Sequence, residues 1–522
     1  MWCCILVAAA VFGHGLAGNI ASATLYPQDT HQNKSTLSGA PPCDALVAVG
    51  LRDSVLFPSD NGYEPQIESW FALNSRLRPW CLVLPRNTAD VSLVVTTLVK
   101  AGSGAGDWHI ALRSGGHNID GNNIANGVTI DLSFMNSSDY NPSTNTASIE
   151  PGGRWEHTYA SLQDHGVTVA GGRDGDVGVG GFLLGGGISF FSGRLGFGCD
   201  SVTNFEVVLA NGSVVNANER VNSDLWRALK GGSGNFGIVT RYDLESIPTR
   251  DLARDLRFLP SNYSDLVVDT VVDFANHDES LGDDALVSFF TYNYKSHGKT
   301  ISPDLAIGTI HVNTAGNWSS KTSYNRLEQL PAILNQTTTQ NMAEAAAASK
   351  VDGGTWAARS TRTFKNDPVI LRYSNKLHEE YVEAMKEIIG ADNFSTVMFL
   401  QPIPSSLGRI GQQRGGNMLG LQNVKDNAVM WTGGVTVYSD EAALSVAKEG
   451  LDRMSAQIKS FSESNSGGID FIYANYADDS QDPLGSYGAD NVQHMREVAA
   501  KYDPTGVFQT RIPGGFKISR VV

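Results

Sequence analysis

The chain has 522 residues, 41% hydrophobic and 18% charged, an ordinary globular composition too long for one small core, so two or three domains are expected. Its formal net charge of −15 excludes nucleic acid as a partner, because the counterion release that drives such binding needs a basic surface. An acidic surface suits a soluble extracellular protein.

In chain order, the apolar run Ile5 to Phe12 leads to Ala21-Ser22-Ala23, a small-x-small pattern that a signal peptidase can cut. Residues 1–23 therefore read as a secretory signal, with the departure that no Lys or Arg precedes the run. The run is shorter than the roughly 20 residues a membrane span needs. No later segment qualifies, so no membrane association is expected once the signal is removed. Asn-x-Ser/Thr sequons at Asn33, Asn136, Asn211, Asn262, Asn317, Asn335 and Asn393 become glycosylation sites on that route. Cys3 and Cys4 would leave with the signal. Cys43 and Cys81 share one N-terminal segment and are the expected disulfide, whereas Cys199 follows a glycine-rich run and reads as a small buried hydrophobe.

From Cys81 the chain runs through Leu82-Val83-Leu84-Pro85 to a helical stretch, Ala89 to Lys100, and then to a short strand, His109 to Arg113. That strand opens directly into Ser114-Gly115-Gly116-His117. Two further strands, Val128 to Leu132 and Thr146 to Gly152, flank a turn rich in Asn, Pro and Ser, and a helix follows from Trp155 to His165. The densest glycine block is Gly171 to Gly187. After it, Val202 to Leu209 with Asn211-Gly212 reads as a hairpin, Asp224 to Leu229 as a brief helix, and Phe236 to Leu244 as a strand. From 256 to 464 the glycines thin out, and strands such as Ala285 to Tyr294 and Asp304 to Val312 mix with helices such as Asn375 to Ile389, the pattern of a second α+β domain. Ala343 to Ser349 reads as a helix face without chemistry. The tail, with a strand Ile469 to Tyr476 and a helix Ala489 to Tyr502, is expected to return to the first domain.

Glycine lets a backbone approach a large anionic cofactor closely and turn its N–H groups toward a diphosphate. Arg113 to Asn118 and Val177 to Gly187 have that composition. A Rossmann fingerprint is absent, since Gly178-x-Gly180 has Leu183 where the last glycine belongs, and no glycine run ends in Gly-Lys-Ser/Thr as a P-loop requires. The 11 histidines show neither His-x-x-x-His nor His-Glu-x-x-His and the cysteines no Cys-x-x-Cys, so no metal is expected.

Four motifs together, Arg-Ser-Gly-Gly-His at 113, Val-Gly-Val-Gly-Gly at 177, Gly-Gly-Ser-Gly-Asn-Phe-Gly-Ile-Val-Thr at 231 and Tyr-Ala-Asn-Tyr at 473, resemble the berberine-bridge-enzyme-like branch of the FAD-linked oxidases related to vanillyl-alcohol oxidase. The resemblance spans 75 to 250 and 465 to 515. It implies an α+β fold: a two-lobed PCMH-type FAD-binding domain over 24–255 with its core at 76–250, a separate substrate-binding domain over 256–464, and a segment 465–522 returning to the first.

The resemblance further implies FAD joined covalently through an 8α-histidyl bond to His117. Many relatives add a second bond from a cysteine three residues before the Val-Gly-Val-Gly-Gly block. Here that residue is Asp174, which cannot form a thioether, so His117 alone is expected to anchor the flavin, at a lower flavin potential than in doubly linked relatives. Carried over residue by residue, Ser114, Gly115, Gly116, Asn118, Gly178, Gly181, Gly186, Gly237 and Val239 would contact FAD, Arg113 would serve its phosphates, and Tyr473 and Asn475 would touch the flavin. Tyr476 would be the general base, provided a positive group or donor supports its phenolate.

The expected activity is therefore that of a secreted, monomeric oxidoreductase. Hydride from a small organic substrate passes to the flavin, and molecular oxygen is the acceptor. The favoured substrate is a secondary metabolite undergoing dehydrogenation or oxidative coupling. The alternatives are a sugar oxidised to a lactone with release of hydrogen peroxide, and a flavin-binding protein without turnover.

Overall fold

The computed structural model describes residues 38–102, 107–119 and 122–522; the predicted signal 1–23 and the Asn33 sequon lie outside them. The unit Gly39–Val522 is organised around three larger sheets.

The first sheet has the order Val55–Leu56, Cys81–Val83, Gly127–Asp131, His109–Arg113, and its last three strands are parallel. A parallel pair needs a crossover, and the helix Thr88–Ala101 supplies it. Asn87 caps that helix by accepting the Asp90 N–H, and Val91, Val94, Val95 and Leu98 form its buried stripe. The Cys43–Cys81 disulfide is formed, tying the helix Pro41–Leu46 to the second strand, and Cys199 is free and buried. The strand His109–Arg113 delivers Ser114 to His117 at its carboxyl end, where parallel sheets expose ligand-binding turns.

The second sheet is antiparallel, ordered Ser138–Asn141, Thr146–Ile149, Ile238–Glu245, Val202–Val208, Val214–Asn218. The hairpin through Asn211-Gly212 is present. The strands predicted at 128–132 and 146–152 are not partners. The turn between them closes a different hairpin, in which Ser138–Asn141 pairs with Thr146–Ile149. That edge strand reads Ser-Asp-Tyr-Asn and has no apolar alternation to announce it.

The third sheet has eight antiparallel strands in the order Leu334–Gln340, Leu252–Pro260, Ala306–Asn313, Asp284–Tyr292, Phe394–Ile403, Ala428–Val437, Trp356–Lys365, Gly468–Ile469. One row of partners crosses it: Phe258, Gly308, Phe289, Phe399, Thr432, Thr361. Side chains alternate between faces along each strand. Leu259, Phe290, Leu400 and Trp431 pack on the helices Ser264–Ala275, Pro368–Ile389 and Glu441–Ser464. Phe258, Phe289 and Met430 instead join a core that includes Trp155, Leu183 and Tyr473 of the glycine-rich region and the tail. The middle helix begins at Pro368, seven residues before its predicted start. Asp367 caps it and Pro occupies its first turn.

In the tail, the helix Ala489–Tyr502 docks on the helix Ser223–Leu229. There Lys501 reaches Asp224 at 2.7 Å, and the Tyr502 hydroxyl donates to the Asp224 carboxylate at 2.8 Å. The strand predicted over 469–476 is limited to Gly468–Ile469. The Tyr476 and Ala477 N–H groups both bond to Tyr473 O at 2.9 Å, so Tyr473 to Tyr476 is a turn. The polar Asn475 folds back inside it and interrupts any sheet ladder.

Candidate active site

The two glycine turns touch each other. A Cβ on Gly115 would lie 2.5 Å from the Cα and 2.6 Å from the N of Gly178, so only glycine permits the approach. Ser114 Oγ donates to Pro151 O and accepts the Gly180 N–H at 3.2 Å. Arg154 donates to Gly115 O at 2.8 Å and pairs with the Asp176 carboxylate at 2.9 Å. Val177 to Gly187 is more than a turn, since it contains the short helix Val179–Leu184. Gly181, on that helix, is exposed, and nothing lies within 4 Å of the place its Cβ would take.

His117 stacks on Phe71 with ring centroids 4.1 Å apart. Its side chain is 23% exposed, yet Nε2 is enclosed and has no hydrogen-bond partner. The closest carboxylate oxygen is Asp174 Oδ2 at 3.9 Å. Burial lowers the imidazole to about 4, outweighing the attraction of Asp176, so His117 is neutral near pH 7. Asp174 accepts the Asp176 N–H at 2.8 Å and the Val351 N–H at 3.3 Å, and burial raises its carboxyl to about 6. The helix Met342–Ala347 predicted to lack chemistry buttresses this corner, its Ala346 O accepting the Gly175 N–H.

Nδ1 of His277 and Nδ1 of His378 are likewise enclosed without a partner, but Nε2 of His117 is the one that lies where the two glycine turns meet. Together with the bare glycine contact and the open face at Gly181, it fits a flat aromatic cofactor bearing an anionic tail.

The tail brings the remaining side chains. The Tyr473 hydroxyl accepts the Gly187 N–H at 2.8 Å. Asn475 Nδ2 donates to Phe182 O at 3.0 Å and to the Tyr473 hydroxyl at 3.1 Å. Tyr476 meets the edge of Tyr473 at 5.0 Å, and its hydroxyl accepts from Arg173 Nη2 at 3.3 Å. Arg173 Nη1 donates to Gln401 Oε1 at 2.7 Å. Three regions thus converge on Arg173.

Other predicted contacts have structural work of their own. Arg113 is buried, with its guanidinium occupied by Asp131 at 3.0 Å, Gln66 O at 2.9 Å and the Ser69 hydroxyl at 2.7 Å. Its two Nη groups are thus committed, and Nε, which has no partner, is the donor left for the diphosphate contact expected of it. Gly237 packs against Val207, Val239 is a buried strand residue, and Gly186 has a φ of +114°. Asn118 Oδ1 accepts from Arg359. Phe71, Arg154 and Arg173 were not singled out in the sequence. Only Arg173 had a signal there, its adjacency to Asp174.

These features define a flavoprotein oxidoreductase. The family model described as "FAD binding domain" matches residues 79–218. A relative, the FAD-dependent monooxygenase drtC of Aspergillus calidoustus, is 35% identical over 495 residues, covering 92% of this chain and 90% of that protein. The solved berberine bridge enzyme from Eschscholzia californica aligns with a TM-score of 0.70 at 16% identity, over 91% of this chain and 99% of that one. A xylooligosaccharide oxidase from Myceliophthora thermophila, in complex with xylobiose, aligns with a TM-score of 0.69 at 18% identity over the same shares. The chain belongs to the family of FAD-dependent oxidoreductases that includes drtC, and it shares the fold of berberine bridge enzyme.

Proposed function

We propose that this chain is a secreted oxidoreductase that carries FAD bonded through His117 alone and oxidises a small secondary metabolite, with molecular oxygen as the acceptor. The observation that carries the reading is the enclosed, partnerless Nε2 of His117 where two glycine turns meet. FAD, when bound, supplies the two-electron acceptor that no side chain of this chain provides. His117, held neutral by burial and stacked on Phe71, keeps a ring nitrogen lone pair free for a bond. Asp174, beside it, has no sulfur with which to add a second one.

Tyr476 takes the proton of the substrate, its phenolic oxygen oriented by Arg173. Tyr473 and Asn475 brace that turn against the glycine block. The fold does not choose a substrate class, since a sugar oxidase and berberine bridge enzyme share it. The sheet wall does favour one. Leu256, Tyr294, Ile310, Val397 and Phe399 are half-buried on the face shared with the glycine-rich lobe, an apolar surface suited to a flat metabolite rather than to hydroxyls that each need a partner. Secretion is supported by the six sequon asparagines among the described residues, Asn136, Asn211, Asn262, Asn317, Asn335 and Asn393, all of which are exposed.

Acid precipitation of the purified protein tests the attachment: yellow colour is expected in the pellet, and colour in the supernatant would refute a covalent bond. Anaerobic bleaching and peroxide formation are then read with phenolic metabolites and oligosaccharides in parallel. Faster bleaching by sugars would favour the carbohydrate oxidase. A yellow protein that neither class bleaches would favour binding without turnover.

A further inference from the structure

Arg173 differs from the two arginines nearest the glycine turns, for Arg113 holds Asp131 at 3.0 Å and Arg154 holds Asp176 at 2.9 Å. Among the described residues the buried Arg254 of the sheet is likewise in no ion pair, and it bonds only the Ser349 hydroxyl. Arg173 has only neutral partners, the amide oxygen of Gln401 at 2.7 Å and the hydroxyl of Tyr476 at 3.3 Å. Among the described residues no carboxylate lies within ion-pair distance of it. Its sequence neighbour Asp174 faces His117 and the Asp176 and Val351 N–H groups, while Asp176 belongs to Arg154. A guanidinium has five donors, and Arg173 spends two. Gln401 is itself held, its amide nitrogen donating to Pro402 O at 3.2 Å and to Leu286 O at 3.5 Å. The outcome is a half-buried, fixed positive charge with donors to spare, beside the proposed base and beside the apolar wall on which Phe399 stands two residues from Gln401. Positive charge withdrawn from water without a counter-ion calls for an anion.

We propose that Arg173 is a substrate-anchoring residue that receives an ionised oxygen of the substrate, a carboxylate or an acidic phenolate or enolate, carried on an apolar ring body. The inference rests on the reading that the site oxidises a small metabolite at Tyr476, and it names that metabolite's class. The anion bonds to the free N–H groups of Arg173, the ring lies against Phe399 on the strand that carries Gln401, and the bond to be oxidised is turned toward Tyr476. A neutral sugar would leave the charge unanswered.

The test is calorimetric titration of the flavin-loaded protein with benzoate and 4-nitrophenolate, against the neutral probes benzamide and benzyl alcohol and the sugar cellobiose. The two anions separate the carboxylate source from the phenolate source. At least one anion is expected to bind, and to bind at least tenfold more tightly than its neutral counterpart. R173Q should weaken that anion roughly ten- to a hundredfold, the loss of a charge-assisted hydrogen bond, and leave the neutral probes unchanged. R173K, which keeps the charge and most of the bulk, should recover part of the affinity, and it stands in should R173Q fail to fold. Equal binding of anion and neutral probe, no anion binding by the parent protein, or full anion affinity in R173Q would each overturn the proposal. Failure of the oxidoreductase reading shows separately, as flavin that no substrate bleaches, since the titration does not depend on turnover.

Discussion

At Gly115 and Gly178 two loops press backbone against backbone with no room for a methyl group, whereas at Gln401 and Trp431 the outcome hangs on strand alternation. Gln401 looks into the site with Arg173. Trp431, one residue beyond Gln401's partner Met430, is buried on the helix side. On the glycine side the chemistry is local, because a residue type with no Cβ is needed at a given position and the sequence must say so. On the sheet side it is non-local, because a strand shows which residues share a face but not what that face meets. The cofactor side of such a site is therefore far easier to read than the substrate side.

The comparison is broken most completely at His117. H117A is expected to abolish covalent attachment, so that flavin appears in the acid supernatant, while the glycine contact between Gly115 and Gly178, which does not involve the lost ring, leaves a folded protein; colour retained in the pellet would place the bond elsewhere. Y476F should keep its FAD and lose roughly 100- to 10,000-fold in the rate of flavin bleaching, the usual worth of a positioned acid–base group. Unchanged stopped-flow bleaching would remove Tyr476 as the base.

A pH effect is shared by both sides, since burial lowers His117 as it lowers His378, and the sheet side allows it to be tested away from the flavin. His378, buried on the helix Pro368–Ile389 with Nε2 2.7 Å from Thr396 Oγ1, is lowered by burial to about 4, against about 6.5 in the unfolded chain. Between those values the unfolded state takes up a proton that the folded state refuses, so stability is lost as pH falls from 6.5 toward 4, by up to about 3 kcal/mol. Urea unfolding at pH 7 and pH 4.5 should show a smaller loss in H378Q; an equal loss would assign the effect to other groups.

The glycine side can be divided against itself. G178A drives a methyl into the Gly115 backbone and should cost about 1–3 kcal/mol. G181A meets no protein atom and should change stability by less than about 0.5 kcal/mol while reducing flavin loading. Full flavin loading in G181A would mean that Gly181 does not form part of the flavin bed.

Much of this was legible in the sequence. The helix 88–101, the strand 109–113, the hairpin through Asn211-Gly212 and the helix 489–502 follow from periodicity, caps and turn residues acting within a few positions. The glycine turns were visible for the same reason, whereas His117 was singled out through the family resemblance. The edge strand 138–141 was not legible because its burial comes from partners. The turn at 473–476 was hidden by its apolar and aromatic residues, which mimic a strand until Asn475 finds Tyr473 and Phe182.

By itself, then, the sequence determined which backbone positions lack a side chain, and the family resemblance it carries put forward His117 as the flavin anchor. Only the tertiary structure decided that Arg113 is committed to Asp131, that Asp174 lies beside His117, and that Arg173 stands uncompensated between Tyr476 and Gln401. Those facts join residues as far as 303 positions apart, and they depend on distances that no local pattern encodes.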